Sequence, residues 1–132
     1  MRITHTDRSK VRTMIADKTC ALISITTSTG LHPDIMPGWG AVYRIRFDDV
    51  DKTFNDFKLF TSEMAHDVLD FVLNIQPMTL VINCDAGLSR STGMLIALER
   101  IINGNDVAGN FPVHNRLVCS KILGAAHERG LI

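Results

Sequence analysis

Cys84 and Arg90 are separated by five residues, and a hydroxyl residue, Ser91, follows Arg90 directly. These types suit one kind of chemistry. A thiolate is a strong nucleophile, and a guanidinium can bond two oxygens of an anion at once. Leu80, Val81 and Ile82 ahead of Cys84 read as a buried strand. After Arg90, the residues Met94, Ile96, Ala97, Leu98, Ile101 and Ile102 read as a helix that is apolar over most of its circumference. Cys84 therefore stands where a strand ends, and Arg90 where a helix begins. A helix N-terminus has backbone N–H groups without intrahelical partners and favours negative charge. Ala86 and Gly87 keep the loop narrow enough for backbone to approach an anion closely. The stretch predicts an anion site with a nucleophile at its floor. It is not the ATP-type phosphate loop, which requires G-x-x-x-x-G-K-[ST]; no lysine occupies residues 79–93.

The rest of the chain must position these groups. Its 132 residues make one domain, 1–132, and 45% apolar against 21% charged residues is a globular balance. Fourteen basic and fourteen acidic residues cancel, which argues against a nucleic-acid partner. No apolar run is long enough to cross a membrane, and Met1–Arg8 is too polar for a signal peptide, so the expectation is a cytoplasmic protein without a membrane partner. Three widely spaced cysteines without a C-x-x-C pair exclude a disulfide framework and a structural zinc site. Cys20 and Cys119 are expected to be small buried hydrophobes.

Residues 1–6 predict a short edge strand. Residues 7–16 predict a helix burying Val11, Met14 and Ile15. The β-branched run 19–26 predicts a central strand, in which Ser24 is expected to find a backbone partner. Residues 27–40 hold Gly30, Pro33, Pro37, Gly38 and Gly40 and predict a long loop. In it Trp39 either caps the core or faces substrate, the former being favoured, and His32 is expected to be exposed. Residues 41–47 alternate and predict a strand, followed by the acidic turn of Asp48, Asp49 and Asp51. A helix capped by Thr61 or Ser62 should bury Met64, Ala65, Val68, Val72 and Ile75 and end at Gln76-Pro77. A last helix over 114–129 should turn Leu117, Val118, Ile122, Ala125 and Ala126 inward. Glu63 and His66 read as helix surface.

Strands that alternate with helices predict an α/β fold of three layers, a mostly parallel central sheet flanked by helices. Sites in such sheets form beyond the carboxyl ends of the strands. The loops 27–40, 48–60 and 84–90 are therefore expected at one edge.

The octet Cys84-Asp85-Ala86-Gly87-Leu88-Ser89-Arg90-Ser91 resembles the C-x5-R-[ST] signature loop of cysteine-based protein tyrosine phosphatases. It looks most like the compact dual-specificity branch, where C-x-A-G-x-S-R-S is usual. The likeness continues at Phe47-Asp48-Asp49, about 35 positions before Cys84, where the family carries its general acid. It reappears at Asn115-Arg116-Leu117-Val118, similar to a helix start of that branch. The resemblance implies a protein-tyrosine-phosphatase-like fold and a phosphatase without metal or cofactor. In such an enzyme Cys84 attacks phosphorus. Residues Asp85, Ala86, Gly87, Leu88, Ser89 and Arg90 bind the phosphoryl oxygens. Ser91 donates to the sulfur, and Asp49 acts as acid and then base. Asp49 is favoured over Asp48 and Asp51. The implied substrates are phosphoproteins, phosphorylated on tyrosine and also on serine or threonine, or small phosphomonoesters. The alternative is a pseudophosphatase that docks phosphorylated partners without turnover. One position departs from the pattern: the family has His directly before the nucleophile, and here it is Asn83. Asn83 is expected to bond to the loop backbone and to stabilise the thiolate less, giving a slower or more alkaline enzyme.

Overall fold

The computed structural model describes all residues, 1–132. Four strands, β1 (Arg2–Asp7), β2 (Cys20–Thr26), β3 (Ala41–Arg46) and β4 (Thr79–Cys84), form one sheet in the order β1-β4-β2-β3. Every pairing is parallel. The two central strands are the most apolar, and β2 is buried from Ala21 to Thr26. That follows from the rule that a strand covered on both faces carries a near-continuous hydrophobic run.

The helices are α1 (Arg8–Val11), α2 (Ser62–Ile75), α3 (Arg90–Leu98) and α4 (Arg116–Glu128). Thr61 caps α2, its side chain accepting from the Met64 N–H, and Gln76 ends it in the left-handed region at φ 48°. Helix α3 is buried along its whole length and passes into a wider π turn at Glu99–Asn103. Helices α2, α3 and α4 cover one face of the sheet. The 21-residue core lies between them and includes Ile23, Ile25, Leu69, Leu80, Ile82, Met94 and Ile122. Cys84 belongs to this face.

The other face is covered by a thin third layer, α1 and the 27–39 segment. Its apolar cluster is only Val11, Leu22 and Val81, with Met14, Ile35 and Trp39 against it. The expected 7–16 helix is a single turn. Asp7 caps it, accepting from the Lys10 N–H, and Ile15 is 85% exposed. Only Val11 of the expected stripe is fully buried, so nothing rewards a longer helix. In α2, Ile75 is likewise exposed, and Leu117 of α4 is only half-buried. Cys20 and Cys119 are both half-buried, not core residues.

Trp39 caps the small cluster, at the end of the sheet opposite Cys84. The 27–40 segment leaves the carboxyl end of β2 and must return to the start of the parallel β3, so its last residues lie at the far edge. There the Gly40 N–H donates to Cys20 O, and a Cβ on Gly40 would lie 2.1 Å from Lys18 O. No helix of the chain is long and apolar enough to cross a membrane.

Candidate active site

Strand β4 delivers Cys84 to the carboxyl edge of the sheet, where its thiol is 2% exposed. The Sγ lies 3.2 Å from Ser91 Oγ in the first turn of α3. The loop between them bends at Gly87, φ +70°, where a Cβ would lie 3.0 Å from backbone atoms of Thr6 and Asp7. That close approach docks the loop on the end of β1. His5 Nδ1 sits 3.0 Å from Gly87 O, and the Arg8 N–H donates to Asp85 O at 3.2 Å. None of the six backbone N–H groups from Asp85 to Arg90 is spent on a protein acceptor. A run of free N–H groups in a left-handed bend ahead of a helix is an anion-binding concavity.

Arg90 is 5% exposed. It donates to Asp85 Oδ2 at 3.1 Å and to Phe47 O at 2.8 Å. The second bond ties the loop to the segment that carries the aspartates. Two of the five guanidinium donors are used, so donors remain for a ligand.

The two neighbouring aspartates are in different situations. Asp48 is 6% exposed and fully engaged. Its Oδ1 accepts from the Ser28 N–H at 2.9 Å, and its Oδ2 from Ser28 Oγ at 2.6 Å and the Lys58 N–H at 2.7 Å. Burial pushes this carboxyl up, but the bonds from Ser28 and Lys58, helped by the Arg90 charge, outweigh it and hold it below the usual carboxylate range. Asp48 joins the 27–30 and 48–58 segments and is fixed as a carboxylate. Asp49 is exposed, and its Oδ1 accepts from Ser89 Oγ at 2.8 Å and from Asn115 Nδ2 at 3.0 Å. Its Oδ2 makes no bond to protein. Asp51 is exposed beyond it.

Asn115 is the residue whose reach the sequence hides. As the cap of α4 its Oδ1 accepts from the Val118 N–H, and this much is readable from an Asn placed before an apolar helix. Its Nδ2 also holds Asp49 and Val50 O, 66 and 65 positions away. The Asn115 N–H donates to Ser89 O at 2.9 Å, and a Cβ at Gly93 would lie 2.4 Å from Asn115 O. The starts of α3 and α4 are thus in backbone contact, which only glycine at 93 permits. Of the sequence-derived set, Cys84, Arg90, Ser91, Asp49 and the loop Asp85–Ser89 come together at one edge. Ser89 contributes its hydroxyl to Asp49, and Asp85 its carboxylate to Arg90.

Three expectations fail locally. Asn83 does not bond to the loop: both its side-chain polar atoms are buried without a partner, because its position in β4 alternates with Cys84 onto the opposite face. Ser24, its register partner on β2, is also without one. His32 is half-buried, with Nδ1 3.1 Å from Thr26 Oγ1.

Beside Asp49 lies an open cavity of about 340 Å³, lined by Lys52, Phe54, Ser89, His114 and Arg116 among others. It touches the residues gathered at this edge only through Asp49, Ser89 and Asn115, and includes neither Cys84 nor Arg90. Phe54 stacks on Phe57 at 5.7 Å and 11°, both about half exposed. No family model matches the chain, and no curated protein matches it.

Proposed function

We propose that the chain is a cysteine-dependent phosphatase acting on phosphomonoesters, of the kind its signature octet resembles. The observation that carries this is the run of six unspent N–H groups leading from Cys84 to a buried Arg90, with the Ser91 hydroxyl at the sulfur.

Cys84 attacks phosphorus and displaces the leaving oxygen, forming a cysteinyl-phosphate. The loop N–H groups and Arg90 hold the three equatorial oxygens, whose charge they match in the transition state. Asp49 gives its proton to the leaving oxygen and then, as carboxylate, takes one from the water that hydrolyses the intermediate. Asp48 is unsuited to that exchange because three donors already hold it ionised. Ser91 donates to the departing sulfur. Phosphotyrosine in proteins is the leading substrate class, with phosphoserine and phosphothreonine as the wider one.

The test is hydrolysis of a simple aryl phosphate by wild type, Cys84→Ser and Asp49→Ala. Turnover should vanish in Cys84→Ser, which should still bind phosphate. On phenyl phosphate, whose poorer leaving group needs the proton, Asp49→Ala should lose about 100-fold in kcat, the usual weight of a positioned acid. The second reading is a phosphate-binding pseudophosphatase, favoured only by the failure of Asn83 to support the loop. Wild-type silence across pH 5–8 with phosphate binding intact would establish it in place of the enzyme.

A further inference from the structure

Resting on the phosphatase reading, we propose that Arg8, Arg44 and Arg46 form a binding surface for acidic residues that flank the phosphorylated residue of a polypeptide substrate. Arg44 and Arg46 alternate along β3 and share the face of Ser24 and Thr26, their register partners on β2. Arg8 follows β1 directly. All three reach the same short stretch of backbone: Arg46 donates to Gly30 O at 3.0 Å, Arg8 to Leu31 O at 2.6 Å and Arg44 to Pro33 O at 2.9 Å. Three guanidiniums thus converge within four residues of chain.

Little of their charge is compensated. Arg44 and Arg46 have no carboxylate within ion-pair distance, and Arg8 reaches only Asp85, at 3.8 Å. His32 sits among them and reports the field. Burial, then Arg46, Arg44 and Arg8, pushes its imidazole down, with no acid pulling it back. In a chain with equal numbers of acids and bases, such a concentration is local, not a general basic character. Tying down a loop needs neutral donors only, whereas three like charges repel one another. Each guanidinium has five donors, and one apiece is spent on the loop. Arg44 and Arg46 are exposed, and Arg8 is partly so.

The surface also lies at the correct edge. Asp7, beside Arg8, is the register partner of Cys84, and Arg46 ends the strand at the other side of the sheet. Cys84 lies on β4, one strand from β1 and two from β3, or roughly 5 Å and 10 Å at about 4.8 Å per strand. An extended peptide covers those distances in about two and three residues. Carboxylates within about three residues of the phosphorylated position would therefore fall on this face.

Two phosphotyrosine peptides, identical except for Asp/Glu or Asn/Gln flanks, test the proposal. The variant is Arg44→Gln with Arg46→Gln, which removes charge and keeps an amide donor for each loop carbonyl. Wild type should favour the acidic peptide about tenfold in kcat/KM, through KM, and less at high salt. The double variant should lose that preference and hydrolyse a small aryl phosphate as wild type does. If the double variant melts early, the single Arg→Gln substitutions should each lower the preference about threefold. A wild type without preference, or a preference that survives in these variants, would overturn the proposal. So would flat peptide discrimination with Arg44- and Arg46-dependent pelleting on phosphatidylserine vesicles, which would assign the surface to a membrane. Failure to turn over any substrate counts against the phosphatase reading instead. Peptide affinity of Cys84→Ser, by fluorescence anisotropy, then decides the arginine surface by the same comparison.

Discussion

The two faces of the sheet are built on different terms. The helical face joins α2, α3 and α4 in one continuous apolar cluster, to which Cys84 belongs. The opposite face has a three-residue cluster, one helical turn, and a strap of chain held by arginine side chains on its carbonyls. There Ser24 and Asn83 are buried with unpartnered polar atoms. One face holds the Cys84–Arg90 loop by packing. The other adds little packing and presents charge. On the readings proposed above, stability and recognition fall on opposite sides of one thin sheet.

The contrast can be broken from either side. Leu69→Ala on the helical face removes a fully buried side chain from the core and should cost about 3 kcal/mol, read by denaturant unfolding. A loss near zero would mean that the helices are not the main source of stability. Asp48→Asn, at the joint between the two sides, should cost about 2 kcal/mol, since three bonds to a carboxylate are disturbed. Its sign with pH follows from the direction of the shift. The folded carboxyl titrates below the unfolded one, at about 4, so its contribution is complete above that pH. It is lost as pH falls through the folded value, so the variant and wild type should converge in acid. Equal differences at pH 7 and at pH 2 would contradict this.

Ser89→Ala removes one of two donors to Asp49 and should slow alkyl phosphates about tenfold, with p-nitrophenyl phosphate nearly unchanged. A good leaving group needs little proton, so equal losses on both substrates would make Ser89 a structural residue only. The smallest effect is expected for Ser24→Ala on the strapped face: within about 0.5 kcal/mol of wild type, or slightly stabilising. Deleting a polar atom that has no partner removes a desolvation cost instead of a bond. A loss above 1 kcal/mol would show that the hydroxyl is satisfied in solution.

What was legible follows the same division. Parallel strands, the α2 stripe and the strand-loop-helix around Cys84 rest on local periodicity and caps, which sequence displays directly. The strapped face rests on long-range choices. The alternation of Tyr43, Ile45 and Phe47 with Arg44 and Arg46 announces a strand, but not that both arginines converge with Arg8 on residues 30–33. The 27–40 loop was rightly read as a loop, but its crossing from one sheet edge to the other placed Trp39 away from the site. Val11, Met14 and Ile15 had helical spacing, yet only Val11 found a full partner surface. Within the site, Cys84, Arg90 and Ser91 were visible because they are neighbours in the chain. Asp49 is favoured over Asp48 already from strand alternation and the resemblance; the bonding that separates the two is hidden in sequence, because it depends on Ser28, Lys58, Ser89 and Asn115.

Asp49 is suspended from Ser89 and Asn115, and both belong to the frame that holds the Cys84–Arg90 loop. Enzymes that carry a catalytic group on a swinging lid wait for its closure in each turnover. Here the segment is already fastened at Phe47 O, Asp48 and Asp49. On the phosphatase reading, thickening the solvent with a viscogen should then leave kcat for a small substrate unchanged, and the size of a standing aperture would decide what enters.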